Sequence, residues 1–176
     1  VVNLTPRPKS SSVGTGVYVL PTEVTISTAA VDEVCAAEAQ SFAEVLRTAT
    51  AARVSVVSDN DNADIVMRQN TSVKNAEGYK VTVSTDGIVV EAATATGFFY
   101  ALQTVKKIMP PSVMAGVHDP AVKQYTAPVC TIDDEPRFEY RGFMLDVSRH
   151  FFGTAQVKRM LDFMAYYKLN KFHWHL

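Results

Sequence analysis

The 176-residue chain lacks the features that mark several broad classes of protein. It has 17 basic and 18 acidic residues, so its formal charge is only −1 and no surface for nucleic acid or anionic membranes is expected. No apolar run approaches the roughly 20 residues that span a bilayer. The amino-terminal stretch lacks the apolar core of a signal peptide. With 47% hydrophobic residues, the composition is that of an ordinary globular chain.

Cysteine is also scarce, with two residues in the chain. The spacing of Cys35 and Cys130 matches no metal-binding motif, and nothing else in the sequence indicates a metal or a cofactor. Free cysteine is often a small buried hydrophobic residue, which is one interpretation of both positions. A disulfide between them is the other, so cysteine usage assigns no redox compartment.

The residues from about Gly16 to about Asp134 show clear periodicity. Alternating apolar residues predict short strands on either side of Pro21, three more strands in ARVSVVS, ADIVMRQ and APVCTID, and a hairpin that turns at Asp86-Gly87. Helical spacing predicts amphipathic helices over residues 31–51 and 94–109. With the two strands around Pro21 counted as one element, the order β–α–β–β–β–β–α–β predicts an α+β fold, a mostly antiparallel sheet with two helices on one face. Its carboxylates are scattered, which favours a scaffold.

The carboxyl-terminal stretch has a different pattern. YRGFMLDV and LNKFHWHL are predicted strands, and Thr154 is expected to cap a helix from Ala155 to about Lys168. A strand, a helical crossover and a second strand form the unit of a parallel sheet. Parallel sheets are covered on both faces, and the covering elements are missing here. We therefore expect the chain to be cut short, with the apolar stripe of this helix incompletely covered.

Charged and histidine side chains interrupt these two strands. Arg141 and Asp146 lie in the first strand, and His173 and His175 share one face of the second. Regular alternation places Arg141 and Asp146 on opposite faces unless the strand is bulged. Such groups are costly to bury without partners, so a pocket for a hydroxyl-rich ligand such as a carbohydrate is one interpretation.

Other interpretations of the same residues stay open. The two histidines could be core residues satisfied by backbone carbonyls, and without a third ligand they do not make a metal site. Arg141 could form a surface ion pair with Asp134 or Glu135. Arg149 could pair with Asp146 and so fix the loop that follows the first strand.

The segment from Pro136 to Leu176 resembles the start of the catalytic barrel of family 20 glycoside hydrolases, the β-N-acetylhexosaminidases. The family pattern is P-R-F-x-x-R-G-x-x-L-D-x-x-R-H-F, then a helix, then K-x-N-x-x-H-x-H-L. The chain matches it at Pro136, Arg137, Phe138, Arg141, Gly142, Leu145, Asp146, Arg149, His150, Phe151, Lys168, Asn170, His173, His175 and Leu176. Upstream, LTPRPKSSSVGTGVYVL and GFFYALQTVKKIM are similar to the domain that precedes this barrel.

This resemblance implies two domains. Residues 1–134 would form the α+β accessory domain, and residues 135–176 the first β-α-β unit of a truncated (β/α)8 TIM barrel. Such a barrel takes about 250 residues, so most of it is expected beyond Leu176.

The resemblance also implies an activity, the retaining, substrate-assisted hydrolysis of terminal non-reducing β-linked N-acetylglucosamine or N-acetylgalactosamine through an oxazolinium ion. The catalytic Asp-Glu pair of the family lies on a later strand. Asp133, Asp134 and Glu135 do not match that position, so no catalytic residue is expected in this chain and the chain alone is expected to be inactive. The alternative is a natural non-catalytic module that binds carbohydrate or protein.

Site residues and partners follow from the same resemblance. It implies that Arg141 contacts the 3- and 4-hydroxyls of the sugar, because a guanidinium can donate to both. It places Asp146, His150, His173 and His175 in the pocket or in support of it. The partners would be glycans that end in N-acetylhexosamine, together with a second copy of the chain through the incomplete barrel. Family habit implies a secreted, periplasmic or lysosomal enzyme.

Overall fold

A computed structural model describes residues 2–60 and 62–176. The chain forms two compact units, Val1–Glu135 and Pro136–Leu176. The first unit contains seven strands, which are β1 (Ser10–Val19), β2 (Glu23–Ala30), β3 (Arg53–Val57), β4 (Ile65–Gln69), β5 (Tyr79–Val83), β6 (Ile88–Ala92) and β7 (Thr126–Asp134). Its helices are α1 (Glu33–Thr50), α2 (Ala95–Ile108) and α3 (Pro111–Ala115).

The seven strands form one sheet in the order β1-β7-β5-β6-β4-β2-β3. Pairs β1–β7, β7–β5 and β5–β6 are antiparallel, whereas β6–β4, β4–β2 and β2–β3 are parallel. The expectation of a mostly antiparallel sheet is therefore wrong, and the sheet is mixed. The reason is that α1 returns the chain so that β3 runs beside β2 in the same direction, and the β5–β6 hairpin aligns β6 with β4.

The helices lie together over one core. Helices α1, α2 and α3 contact one another, and one cluster of buried side chains joins them to the sheet. Helix α1 begins after Asp32, whose carboxylate accepts a hydrogen bond from the backbone N–H of Cys35 at 2.8 Å. The predicted helix over 94–109 is confirmed as α2, and the short helix α3, which begins at Pro111, was not predicted.

Both cysteines belong to this core. Cys35 and Cys130 are buried and free, so the disulfide interpretation is wrong and the interpretation as small hydrophobic residues is confirmed. Burial raises the pKa of the Cys35 thiol to about 11. Neither thiol is therefore suited to nucleophilic chemistry at neutral pH.

The second unit is a single β-α-β element. Strand β8 (Gly142–Asp146), helix α4 (Thr154–Tyr167) and strand β9 (Lys171–His175) follow in order, and the two strands pair in parallel. The predicted parallel pair with a helical crossover is thus confirmed. The expected cap is wrong in one detail, because Gly153 precedes the helix and its carbonyl accepts from the N–H groups of Gln156 and Val157.

Helix α4 is only partly covered. Val157 and Met164 are buried, whereas Leu161, from the same predicted stripe, is 45% exposed. Within residues 2–60 and 62–176, no helix combines the length and apolarity needed to cross a membrane.

Candidate functional site

The motif residues of the second unit divide between the two ends of the β8–β9 pair. Parallel strands start at one edge of a sheet and finish at the other, so residues before β8 and β9 share one edge. In the register, Gly142 lies opposite Lys171 and Asp146 lies opposite His175. The two edges carry different chemistry.

The edge where the strands begin is held by Arg141 and Asn170. The backbone N–H of Arg141 donates to Oδ1 of Asn170 at 3.0 Å, and the backbone N–H of Asn170 donates to the Arg141 carbonyl at 2.9 Å. The guanidinium of Arg141 donates through Nε to the Lys168 carbonyl at 2.7 Å and through Nη1 to the Phe138 carbonyl at 2.8 Å. The Asn170 amide donates to the Glu139 carbonyl at 2.8 Å. These bonds fix the register of the two strands.

This placement does not favour the substrate contact that the resemblance implied for Arg141. Parallel sheets bind their ligands at the carboxyl ends of the strands, and Arg141 precedes β8. Its guanidinium is engaged by backbone carbonyls of the same unit. From Gly142 to Asp146 the register of β8 with β9 is continuous, without a bulge. The geometry indicates a structural role for Arg141, and its contact with substrate stays a prediction.

The edge where the strands end carries a cluster built around the carboxylate of Asp146, the last residue of β8. Oδ1 accepts from the backbone N–H groups of Ser148 at 3.0 Å and Arg149 at 3.1 Å, and it lies 3.2 Å from Nδ1 of His175. Oδ2 accepts from Nη1 of Arg149. The expected pairing of Arg149 with Asp146 is therefore confirmed. We call Asp146, Arg149 and His175 the carboxyl-edge cluster.

The electrostatics of this cluster follow from its hydrogen bonds. The backbone N–H of Arg149, followed by the side chains of His175 and Arg149, lowers the pKa of Asp146 to about 2. The carboxylate is therefore ionised and accepts hydrogen bonds at any ordinary pH. A neutral His175 must then carry its proton on Nδ1, which leaves Nε2 as an acceptor.

The cluster is open at its outer end. The side chain of Asp146 is 20% exposed, that of His175 is 46% exposed and that of Arg149 is 80% exposed. A fixed anion therefore holds two accessible groups, a guanidinium donor and an imidazole. Such groups can bind a molecule dense in hydroxyls.

The other predicted site residues lie nearby but pack differently. The ring of His150 meets the edge of Phe152 at a centroid distance of 5.0 Å, and His173 lies opposite Met144 in the register. His173 and His175 are both exposed, so the interpretation as core histidines is wrong for this chain. Among the residues that the structure describes, no group of three or more His, Cys, Asp or Glu could hold a metal ion.

The sequence pattern predicted that Arg149 pairs with Asp146, but it did not predict that Arg149 belongs to an accessible cluster. The available signal was its position, three residues after Asp146 in the loop that leaves the carboxyl end of β8. Loops at that end of parallel strands carry binding groups.

The first unit holds a polar network that the sequence did not indicate. The Tyr79 hydroxyl donates to Oδ2 of Asp134 at 2.8 Å and lies 2.6 Å from Oγ1 of Thr104, all in a buried setting. The backbone N–H of Lys9 donates to Oδ1 of Asp134 at 3.0 Å. The network joins β7, β5, α2 and the amino-terminal segment, which supports the interpretation of this unit as a scaffold.

Comparisons with known proteins agree with these features. Residues 1–135 match glycosyl hydrolase family 20, domain 2, and residues 138–176 match the catalytic domain of the same family. A beta-hexosaminidase of Porphyromonas gingivalis is 41% identical over 100 residues, which are 57% of this chain and 13% of the relative. One of Vibrio furnissii is 37% identical over 118 residues, which are 67% of this chain and 18% of the relative.

A solved structure gives the same result. The N-acetyl-beta-hexosaminidase of Streptomyces plicatus in complex with Thio-NAglucal is 33% identical and superimposes with a TM-score of 0.88, over 98% of this chain and 34% of that chain. The chain therefore spans less than a fifth of these curated relatives and about a third of this structure. Its mixed α+β fold is similar to family structures, and the chain belongs to glycosyl hydrolase family 20.

Proposed function

We propose that this chain is the amino-terminal part of a glycoside hydrolase that releases terminal non-reducing β-linked N-acetylglucosamine or N-acetylgalactosamine from glycans. The observation that carries the proposal is the match of residues 138–176 to the family's catalytic domain, with the carboxyl-edge cluster at the binding end of two parallel strands. The names of the relatives agree, since they are beta-hexosaminidases and, in Vibrio harveyi, an N,N'-diacetylchitobiase 39% identical over 98 residues.

The domain layout is part of the proposal. Residues 1–134 are the accessory domain, and residues 135–176 are the first β-α-β unit of a (β/α)8 barrel. The boundary between the compact units at Glu135 and Pro136 supports this division. The partial exposure of α4 supports it as well, because a barrel helix packs against strands and helices on both sides.

The reaction proceeds by attack of the substrate's own acetamido oxygen on the anomeric carbon. The bond to the leaving oxygen breaks as a Glu donates a proton to that oxygen. Water, activated by the same Glu, then opens the oxazolinium ion and restores the β-configuration. The Glu and the Asp that orients the acetamido group belong to a later strand, so this chain holds no catalytic residue and is inactive alone.

The residues of this chain bind and orient the sugar. We assign the contact with its hydroxyls to Arg141, as the resemblance implies, and a further contact to Arg149, whose guanidinium is accessible at the carboxyl edge. His175 offers an acceptor beside it. His150 and His173 shape the pocket from neighbouring positions. The family's habit supports secretion, a periplasmic location or a lysosomal one.

A direct assay tests the function. The full-length enzyme should hydrolyse an aryl N-acetyl-β-glucosaminide with retention of configuration, and the 176-residue chain should not. Retention is read from the anomeric proton of the first-formed product by NMR. An inactive full-length protein that still binds N-acetylglucosamine or chitobiose would favour the alternative, a non-catalytic carbohydrate-binding module.

A further inference from the structure

The seven-stranded sheet of the first unit has β1 and β3 at its two edges. An edge strand presents backbone N–H and C=O groups that can pair with a strand of another chain. Strand β3 has the sequence RVSVV, and its β-branched valines suit it well to such pairing. A strand of this kind needs a feature that keeps the edge closed.

The register shows which backbone groups of β3 face the open side. The strand pairs in parallel with β2, and the backbone N–H of Arg53 donates to the Thr22 carbonyl at 2.8 Å. In a parallel pair, the N–H and C=O of one residue point to the same side, and those of the next residue point to the opposite side. The backbone groups of Val54 and Val56 therefore face away from β2, along the free edge.

The side chain of Arg47, in the last turn of α1, lies on this edge. Its Nε and Nη2 atoms donate to the Val54 carbonyl at 3.1 and 2.7 Å, and its Nη1 atom donates to Oε2 of Glu44 at 3.1 Å. The carbonyl thus accepts two hydrogen bonds, which use both of its lone pairs. The guanidinium also lies where a neighbouring strand would run, because paired strands are only about 4.8 Å apart.

We infer that Arg47 blocks the free edge of β3 and so keeps it from pairing with β3 of a second copy of the chain. A second copy is the partner that every solution of the protein contains, and two identical strands can pair about a twofold axis. Such a pair would need the Val54 carbonyl and would bury the charge of Arg47 between the strands, which is costly. The inference concerns the first unit and does not depend on the proposed activity.

The opposite edge of the sheet supports the inference, because it has a different feature with the same effect. Strand β1 has no charged residue from Ser10 to Val19, but its register with β7 shifts between Val13 and Val17. Gly16 lies within this bulge at a φ of +100°, which favours glycine. A bulge interrupts the regular row of open backbone groups. Strand β3 pairs with β2 without such a shift, so its edge depends on the guanidinium.

The test uses the full-length protein with Arg47→Met, which keeps an apolar stem and removes the donors. Arg53→Met is the matched control, because Arg53 lies on β3 itself and its guanidinium, which is exposed, pairs with Glu23. We expect the dissociation constant for self-association to fall at least about 10-fold in Arg47→Met, as when an interface gains a hydrogen bond. The control should stay within about twofold of the wild type. Sedimentation velocity over a concentration series measures both.

A second substitution, Val56→Pro, locates the association. The N–H of Val56 faces the open side, so proline removes no hydrogen bond to β2 but removes a donor from the edge. The double variant of Arg47→Met and Val56→Pro should therefore sediment as the wild type does. Hydrogen exchange should show protection of β3 that rises with concentration in Arg47→Met and not in the double variant.

Two results would overturn the inference. One is an Arg47→Met variant with the dissociation constant of the wild type. The other is an association of Arg47→Met that Val56→Pro leaves unchanged, which would place it at another surface.

A measurement on the wild type tests the same contact even if Arg47→Met does not fold. In ¹⁵N NMR with labelled arginine, the Nε–H of Arg47 should exchange with water at least about 10-fold more slowly than that of Arg53, because it is bonded to the Val54 carbonyl. Equal exchange rates would show that the guanidinium does not block the β3 edge in solution.

Discussion

Arg141 and Arg149 are the same residue type eight positions apart, and their surroundings give them different partners. Arg141 donates to the carbonyls of Lys168 and Phe138 where β8 and β9 begin. Arg149 pairs with Asp146 where they end, and most of its side chain is exposed. The planar fork of a guanidinium suits both kinds of contact.

Replacing each arginine by lysine in the full-length enzyme separates the two roles. In Arg141→Lys a single ammonium replaces two directed donors, so we expect a loss of about 1–2 kcal/mol in unfolding free energy and, because the resemblance implies a sugar contact, a fall of about 10-fold in kcat/KM. In Arg149→Lys we expect kcat/KM to fall about 10- to 100-fold, as when a bond to a charged group is lost in the transition state. Its stability should change by less than about 0.5 kcal/mol, because exposed ion pairs contribute little.

Urea unfolding gives the free energies, and initial rates on an aryl N-acetyl-β-glucosaminide give kcat/KM. Lys158→Ala, at an exposed position of α4, is the control for both measurements. An Arg141→Lys variant that loses stability and keeps the kcat/KM of the wild type would refute the substrate contact of Arg141.

The sequence predicted which polar residues of this region belong to the site. It did not predict at which end of the strands each of them lies. Alternation placed His173 and His175 on one face correctly, since they lie opposite Met144 and Asp146 of β8 in the register. It did not give the start of β8 at Gly142, because a strand boundary depends on where pairing with β9 begins. Arg141 was therefore counted as part of the strand, and the hydrogen bond that its backbone N–H donates to Oδ1 of Asn170 was not foreseen.

At the scale of elements, the Tyr79 hydroxyl links two strands and a helix of the first unit. It joins β5 to β7 through Asp134 and to α2 through Thr104, and Tyr79 itself is 2% exposed. A polar group at such a depth is stable only when it is paired. Burial, helped by the charge of Asp134, raises the pKa of Tyr79 above its ordinary value of 10.0.

Tyr79→Phe should destabilise the chain by about 1–3 kcal/mol, because Asp134 and Thr104 each lose a partner in a dry setting. The pH dependence gives a second signature. Since the pKa is raised in the folded state, the wild type keeps this stability below pH 10 and loses it as pH rises further, when the unfolded phenol ionises. The Tyr79→Phe variant lacks the phenol, so its unfolding free energy should fall less than that of the wild type above pH 10.

Urea titrations between neutral pH and pH 11 measure both effects. Tyr140→Phe, at a phenol that is 69% exposed, should stay within about 0.5 kcal/mol of the wild type. An equally small change in Tyr79→Phe would show that the buried network adds nothing to stability.

The strands and the long helices of the first unit could be predicted, whereas the direction of strand pairing could not. Alternation located the described strands, except that β1 begins at Ser10, before the predicted start at about Gly16, and the Asp86-Gly87 turn gave the antiparallel pair β5–β6. The alternation of apolar and polar residues is the same in parallel and antiparallel strands when one face of the sheet is buried. The parallel pairs β2–β3, β2–β4 and β4–β6 depend on contacts between segments far apart in sequence, which periodicity does not contain.

At the scale of the whole molecule, the two units differ in how well they cover their apolar residues. The first unit has one continuous buried core. The second exposes large apolar side chains on both strands and in its loops, which are Phe138, Tyr140, Met144, Phe151, Trp174 and Leu176. Exposed apolar surface of this extent is typical of an interface or of an incomplete domain. The sequence indicated this outcome because a parallel β-α-β unit needs cover on both faces.

We therefore expect the 176-residue chain to self-associate through its second unit, whereas residues 1–135 alone remain monomeric. Burial of apolar area drives association, and the first unit offers far less of it to a second copy. Sedimentation velocity over a concentration series measures the association. Hydrogen exchange on the same samples should show protection in β8, α4 and β9 that rises with concentration. A 176-residue chain that sediments as a monomer at every concentration, with β8 and β9 protected, would mean that the β-α-β unit is stable without a partner.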